Sequence, residues 1–204
     1  MIEIGIDVGG TFTDVVLLDR AKNVLHVTKT ASTPEDQSKG ILAGMARVGV
    51  DPATITRFTH GTTVATNTVL ERNGAKVAML TTKGFKDLLQ IGRTNRTKVY
   101  DMKLVKPPAL VPRSLRYEIE ERDYNGMLPN IPLSMADVDA AVEACKREGV
   151  EAIAVCYIQS YRDDSDEDAN LKRNREIEPE ILATGSADVV REYKEYERFS
   201  TATL

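Results

Sequence analysis

The chain is poor in the residues that build disulfide frameworks, histidine-rich metal centres and membrane spans. Its 204 residues include two cysteines, two histidines and no tryptophan, so neither a disulfide framework nor a multi-histidine metal site is expected. Cys145 and Cys156 fall in apolar sequence, where a buried, inert thiol is the usual outcome. No run of about 18 apolar residues occurs, and the first residues lack the basic and apolar regions of a signal peptide. These absences predict a cytoplasmic protein without a membrane span.

The charge balance is mildly acidic and contains no basic run. Lys and Arg number 27 against 31 Asp and Glu, which gives a net charge of −4. Basic contacts to phosphates supply much of the affinity of proteins for nucleic acids, so no nucleic-acid partner is expected. The hydrophobic share of 42% and the charged share of 28% are those of an ordinary globular protein. They exclude a disordered chain, a coiled coil and a collagen.

Hydrophobic periodicity predicts strands and helices in an α/β order. Strands are predicted over residues 2–8, 12–18, 24–30, 55–60, 76–82, 152–158 and 181–186, with a short one inside 115–121. Helices are predicted from Thr33, Thr63 and Ser134 as N-caps, with Pro34 at the first helical position of the first, and over 192–204. Residues 162–176 are expected to be a solvated, charged helix or loop. Residues 97–133 contain five prolines and are expected to form an irregular insertion.

A phosphate loop is predicted where the first strand ends, in the sequence Asp-Val-Gly-Gly-Thr-Phe-Thr-Asp. Gly9 and Gly10 allow a tight turn whose N–H groups can approach an anion. Thr11 and Thr13 add hydroxyl donors, and Asp7 is placed to hold Mg²⁺ through water. A plain Gly-Gly hairpin with a capping aspartate has the same spacing. The Walker A and Rossmann patterns are excluded, because no Gly-Lys-Ser/Thr follows and a strand comes next instead of a helix.

A second polar loop, at residues 59–67, is predicted between a strand and a helix. Free N–H groups at a helix start favour an anion or a carbonyl oxygen. His60 is a candidate for proton transfer, and Thr62, Thr63 and Asn67 add polar groups beside it. The alternative is that Thr63 only caps the helix and that His60 is a hydrogen-bonded packing residue.

Two further segments combine charge with polarity. Residues 90–96 contain Arg93, Asn95 and Arg96, which suit the recognition of a carboxylate or phosphate; a solvated basic loop would have the same composition. Residues 191–200 are typical of a charged amphipathic helix with ion pairs at i, i+4.

Taken in order, four blocks of the chain resemble the N-terminal region of the hydantoinase A / 5-oxoprolinase family. The blocks are Gly5-Ile6-Asp7-Val8-Gly9-Gly10-Thr11-Phe12-Thr13-Asp14, His60-Gly61-Thr62-Thr63-Val64-Ala65-Thr66-Asn67, Thr81-Thr82-Lys83-Gly84-Phe85 with Ile91-Gly92-Arg93, and Glu195-Tyr196-Glu197-Arg198-Phe199-Ser200-Thr201. The first block alone would indicate only the wider superfamily of actin-like and sugar-kinase-like ATPases. One stretch departs from the family: residues 162–167 read Arg-Asp-Asp-Ser-Asp-Glu where an Asn-Pro-x-His-Glu stretch is typical.

The resemblance implies an α/β fold, namely a ribonuclease-H-like lobe with a mixed sheet and flanking helices. Residues 1–204 would form the N-terminal lobe of a two-lobed ATPase, and the second lobe would lie outside them. ATP would bind between the lobes. Family members open cyclic amides such as hydantoins or 5-oxoproline at the expense of ATP, and relatives are the ATP-using subunits of ketone carboxylases. A hydantoinase B-type subunit or domain is the expected partner.

The resemblance also implies roles for single residues. Gly9, Gly10, Thr11 and Thr13 match the first phosphate loop, and Asp7 matches the Mg²⁺-associated carboxylate. The candidate catalytic residues, expected on the substrate or γ-phosphate side, are His60, Thr62, Thr63, Asn67 and Arg93. Three functions remain open at this point: a cyclic-amide hydrolase, a carboxylase subunit, and a non-catalytic interaction domain that kept the fold. The last of these predicts no nucleotide binding.

Overall fold

The computed structural model describes residues 1–33, 35–95, 99–124 and 126–204. These residues form two units, Met1–Gly74 and Ala75–Leu204. The prediction that residues 1–204 make up one lobe stays a prediction. In the described residues, no helix has the length and apolar character that a bilayer crossing requires.

The first unit is built on a mixed four-stranded sheet. Its elements are β1 (Ile2–Val8), β2 (Phe12–Asp19), β3 (Val24–Ala31), α1 (Gln37–Arg47), β4 (Ile55–Thr62) and α2 (Val64–Glu71), with a short 3₁₀ turn at Pro52–Thr54. The strand order is β3-β2-β1-β4. The first three strands are antiparallel and β4 runs parallel to β1. The predicted hairpin through the glycine pair and the predicted mixed sheet are confirmed.

Alternation along β1 and β2 places one set of side chains under helix α1. Ile4, Ile6, Val8 and Val15 are buried together with Met45 of the helix. The helix packs closely on β2 because residue 44 is glycine: a Cβ there would lie 2.5 Å from Cγ2 of Val15. This core packs against one face of the hairpin and so positions its turn.

Helix α1 starts later than the sequence predicts. Its N-cap is Asp36, whose carboxylate accepts the Ser38 N–H at 3.1 Å. Thr33 does not cap the helix; its hydroxyl accepts the N–H of Gly40 at 3.2 Å instead. The aspartate, three residues further on, takes the capping role because its carboxylate is the stronger acceptor. Pro34 lies outside the described residues.

The second unit contains a parallel four-stranded sheet in the order β6-β5-β7-β8. Its elements are β5 (Val77–Thr82), α3 (Leu88–Ile91), β6 (Arg116–Ile119), α4 (Met135–Arg147), β7 (Ala152–Cys156), α5 (Ser165–Ile177), β8 (Leu182–Gly185), α6 (Ser186–Val189) and α7 (Glu195–Ala202), with a 3₁₀ turn at Arg113–Leu115. Ser134 caps α4 as predicted. Both cysteines are buried and unbridged, and burial raises the pKa of the Cys145 thiol to about 12. The predicted burial of both thiols is therefore confirmed.

Helix α5 differs from the predicted solvated segment, because it buries a polar face. Glu167, Asn170 and Asn174 lie in the interior. The Glu167 carboxylate accepts the N–H groups of Tyr157 at 2.9 Å and Ala187 at 3.0 Å. Buried polar groups are tolerated when they are hydrogen-bonded in this way, and composition alone does not reveal such partners.

Candidate functional site

The turn between β1 and β2 is closed by glycines at two crowded positions. The Gly9 N–H donates to the Phe12 carbonyl at 2.9 Å. A Cβ on Gly9 would lie 3.1 Å from that carbonyl oxygen, and a Cβ on Gly10 would lie 3.1 Å from Nδ2 of Asn67. Neither glycine has a positive φ. The turn therefore needs glycine for space rather than for left-handed backbone conformation.

Ser32, just after β3, holds this turn from the neighbouring strand. Its hydroxyl donates to the Gly9 carbonyl at 2.7 Å, and its N–H donates to the Thr11 carbonyl at 2.9 Å. The Thr13 hydroxyl lies 3.0 Å from the Ser32 hydroxyl, and Thr13 is completely buried. Thr13 thus supports the turn from inside, whereas Gly9, Gly10 and Thr11 face a cavity.

That cavity has a volume of about 420 Å³ and is bounded by the turn and by helix α2. Its walls combine polar and apolar surface, and Glu71 is the charged residue in the lining. The lining residues are Gly9, Gly10, Thr11, Ser32, Gln37, Val64, Asn67, Thr68, Glu71 and Asn73. Amide and hydroxyl donors beside a glycine turn suit an anionic oxygen ligand.

Parallel pairing of β1 with β4 brings the second polar loop next to Asp7. Asp7 pairs with Gly61, and a Cβ on Gly61 would lie 3.2 Å from Oδ1 of Asp7. The register also sets His60 beside Ile6, and the exposed imidazole lies 6.4 Å from the Phe58 ring, centroid to centroid. The two motifs predicted separately are therefore neighbours in the sheet.

The end of β4 connects the same two motifs through the start of α2. The Thr63 N–H donates to the Val8 carbonyl at 3.1 Å, and Asn67 Nδ2 donates to the Thr63 hydroxyl at 3.4 Å. Thr63 stands at the predicted N-cap position, although its side chain makes no cap bond there. Thr62 accepts the Val64 N–H at 3.3 Å. Asn67 is thus held where it lines the cavity against Gly10.

The residues at this point of the sheet fit a magnesium ion bound chiefly through phosphate and water. Within the part of the chain that the structure describes, no three His, Cys, Asp or Glu side chains form a metal cage. Asp7 is exposed at the end of β1, and its neighbour Asp14 is paired with Lys29 at 3.2 Å. Mg²⁺ commonly takes one or two carboxylates together with substrate phosphates, and Asp7 meets that requirement.

Arg93 belongs to the second unit, where its guanidinium forms an ion pair with Glu197. Arg96 lies outside the described residues. The charged segment that contains Glu197 forms α7, but it is only partly solvated because Arg198 is completely buried. Arg198 donates to the Tyr157 carbonyl at 2.9 Å and to the Glu192 carbonyl at 2.6 Å.

Sequence reasoning missed Ser32 and the far wall of the cavity. The antiparallel register pairs Phe12 with Ala31, so the next residue on each strand, Thr11 and Ser32, had to meet. That signal is present in the sequence once the hairpins are drawn with their register. The lining by Gln37, Glu71 and Asn73 depends instead on how α1 and α2 pack, and no local pattern predicts it.

The family model described as the hydantoinase/oxoprolinase N-terminal region matches residues 3–177. The chain belongs to the hydantoinase/oxoprolinase family. It is 34% identical to the caprolactamase subunit alpha of Pseudomonas jessenii over 98% of this chain and 30% of that protein. It is 35% identical to the acetophenone carboxylase gamma subunit of Aromatoleum aromaticum, again over 98% of this chain and 30% of that protein.

Solved structures show the same likeness in three dimensions. A crystal structure of ATP-dependent caprolactamase from P. jessenii matches with a TM-score of 0.83 at 33% identity, over 98% of this chain and 30% of that chain. The nucleotide-free structure of acetone carboxylase matches with a TM-score of 0.82 at 26% identity, over 98% of this chain and 31% of the other. The α/β fold class of the sequence analysis is confirmed. The chain spans about 30% of the length of these relatives.

Proposed function

We propose that this chain is the N-terminal, phosphate-binding part of an ATP-dependent enzyme that opens cyclic amides. The observation that carries the proposal is the turn at Gly9, Gly10 and Thr11, which lines a cavity and whose Gly9 and Thr11 carbonyls are hydrogen-bonded by Ser32. Such a turn offers N–H groups to an anion. The likeness to caprolactamase, whose name states a cyclic-amide substrate, supports the choice of reaction.

The proposal assigns ATP phosphates to the turn and Mg²⁺ to Asp7. When bound, the ion would neutralise phosphate charge and hold the phosphates in place. Asn67 and Thr11 would orient the phosphate oxygens through hydrogen bonds. His60 and Thr62 lie on β4, which pairs with the strand of Asp7, and Thr63 follows them at the start of α2. We propose that these three residues face the substrate or the γ-phosphate. For Arg93 we propose a contact with a carboxylate or phosphate, from the family resemblance alone.

A second candidate function is the ATP-using subunit of a ketone carboxylase. The likeness to acetophenone carboxylase and acetone carboxylase favours it. Both candidates use the same phosphate turn. Because relatives are named as subunits, we include a hydantoinase B-type subunit or domain as the partner. The two buried, unbridged thiols support a reducing, cytoplasmic setting.

Nucleotide binding tests the proposal directly on the 204-residue chain. We expect Mg²⁺ with a non-hydrolysable ATP analogue to bind weakly, and Gly10→Val to abolish binding because the side chain meets Asn67. Gly5→Ala is the matched control, since a Cβ at Gly5 has nothing within 4 Å. Absence of wild-type binding would refute the proposal. In a longer protein that also carries the remaining region of the relatives, phosphate release with cyclic amides, compared with ketones and bicarbonate, separates the two candidates.

A further inference from the structure

Ser32 uses its hydroxyl in a way that fixes the direction of one peptide bond in the turn. The Ser32 hydroxyl has a single proton, which it donates to the Gly9 carbonyl at 2.7 Å. The 3.0 Å contact between the hydroxyls of Ser32 and Thr13 must then have Thr13 as the donor. The hydrogen bonds therefore run in one direction, from the buried Thr13 through Ser32 to the Gly9 carbonyl.

Anchoring this carbonyl also aims the N–H on the other side of the peptide bond. The described residues contain no cis peptide, and in a trans peptide the C=O and N–H groups point in opposite directions. The Gly10 N–H consequently points away from Ser32. Within the described residues it donates to no other backbone group, so this donor is available to a ligand.

The backbone of Ser32, like its side chain, binds a carbonyl group of the turn. Its N–H binds the Thr11 carbonyl at 2.9 Å. Two carbonyl oxygens of the turn, those of Gly9 and Thr11, are thus both held by one residue. A carbonyl oxygen turned toward the cavity would repel an anionic ligand, whereas an N–H attracts it.

A glycine pair makes such control necessary. Glycine adopts many backbone conformations with little penalty, so the Gly9–Gly10 peptide can rotate more readily than a peptide between bulkier residues. Rotation by half a turn would exchange the directions of the Gly10 N–H and the Gly9 carbonyl. The hydrogen bond from Ser32 opposes this rotation.

We propose that Ser32 is a positioning residue for phosphate binding, which locks the Gly9–Gly10 peptide with its N–H toward the phosphoryl oxygen. The proposal rests on the proposed function, because it assumes that phosphate binds at this turn. Ser32 does not contact the ligand with its hydroxyl, since the proton of that hydroxyl is already used. The Thr13 hydroxyl orients the Ser32 hydroxyl by donating a hydrogen bond to it.

The test compares two hydroxyls that each donate to a carbonyl of the first β-strand or its turn. Ser32→Ala removes the bond to Gly9. Thr56→Val removes a bond of the same length, 2.7 Å, from Thr56 to the Ile2 carbonyl at the far end of β1. Ser32→Thr keeps the hydroxyl and should restore the lock. The ¹H–¹⁵N spectrum of the 204-residue chain is recorded during titration with Mg²⁺ and a non-hydrolysable ATP analogue.

We expect Ser32→Ala to weaken binding about five- to tenfold, the range for one hydrogen bond of ordinary strength, and to shift the Gly10 amide resonance before ligand is added. Thr56→Val should bind as the wild type, and Ser32→Thr should bind within about twofold of it. If the wild type binds and Ser32→Ala binds equally well, the positioning role is wrong and the proposed function stands. If the wild type does not bind, the proposed function and the positioning role both fail.

Discussion

Glu121 is an acid whose burial should make the stability of the second unit depend on pH. It follows β6 and is only 3% exposed. Burial raises the pKa of its carboxyl to about 7, although the Thr82 hydroxyl that donates to it and the charge of Arg122 act in the opposite direction. The acids Asp166 and Glu167 add to the increase in its pKa.

The size and sign of the effect follow from proton linkage. The pKa rises from an ordinary value of 4.5 to about 7 in the folded chain, which corresponds to about 3 kcal/mol. Between these values the folded chain holds a proton that the unfolded chain releases. The contribution of Glu121 to the free energy of unfolding is therefore fully present below pH 4.5 and is lost as the pH rises through 7.

Urea denaturation at pH 5 and pH 8 measures this contribution. Glu121→Gln keeps the shape of the side chain and removes its titration. As the pH rises from 5 to 8, we therefore expect the free energy of unfolding of the variant to increase by about 2 to 3 kcal/mol relative to that of the wild type. Glu120→Gln is the matched control, because Glu120 is an exposed neighbour paired with Lys83 at 3.1 Å. If wild type and Glu121→Gln change in parallel with pH, the carboxyl does not titrate near neutrality and the argument is wrong.

Three further results are expected. Gly44→Ala should lower the free energy of unfolding by about 1–3 kcal/mol, because its Cβ would lie 2.5 Å from Val15; Gly5→Ala, measured in the same urea series, should change it little. Asp7→Asn should leave thermal unfolding unchanged and weaken binding of the ATP analogue in the presence of Mg²⁺; equal affinity with and without Mg²⁺ in both proteins would make Asp7 structural. The 204-residue chain should fold yet hydrolyse neither ATP nor a cyclic amide, because phosphoryl transfer needs the phosphates clamped from more than one side. If a phosphate-release assay shows that the chain hydrolyses ATP at an ordinary enzymatic rate, the proposal of a second lobe is wrong.

The local elements could be predicted because their causes are local. Residues 2–8 and 12–18 both have strand character, and the short link through Gly9 and Gly10 predicts that they pair as an antiparallel hairpin. Ser134 and Asp137 predict the start of α4, because the Ser134 hydroxyl can accept a free N–H group of the first helical turn. This cause is also local. The candidate turn itself, and its position after the first strand, therefore follow from sequence alone.

Tertiary structure decided which of the predicted groups meet. The parallel pairing of β4 with β1 brings Gly61 against Asp7, and nothing in either segment specifies that partner. The burial of Glu167 on α5 likewise depends on partners distant in the chain, the N–H groups of Tyr157 and Ala187. Sequence patterns report the periodicity of one segment. Gln37, Glu71 and Asn73 line the cavity only because α1 and α2 pack where they do, and no pattern within either helix specifies that packing.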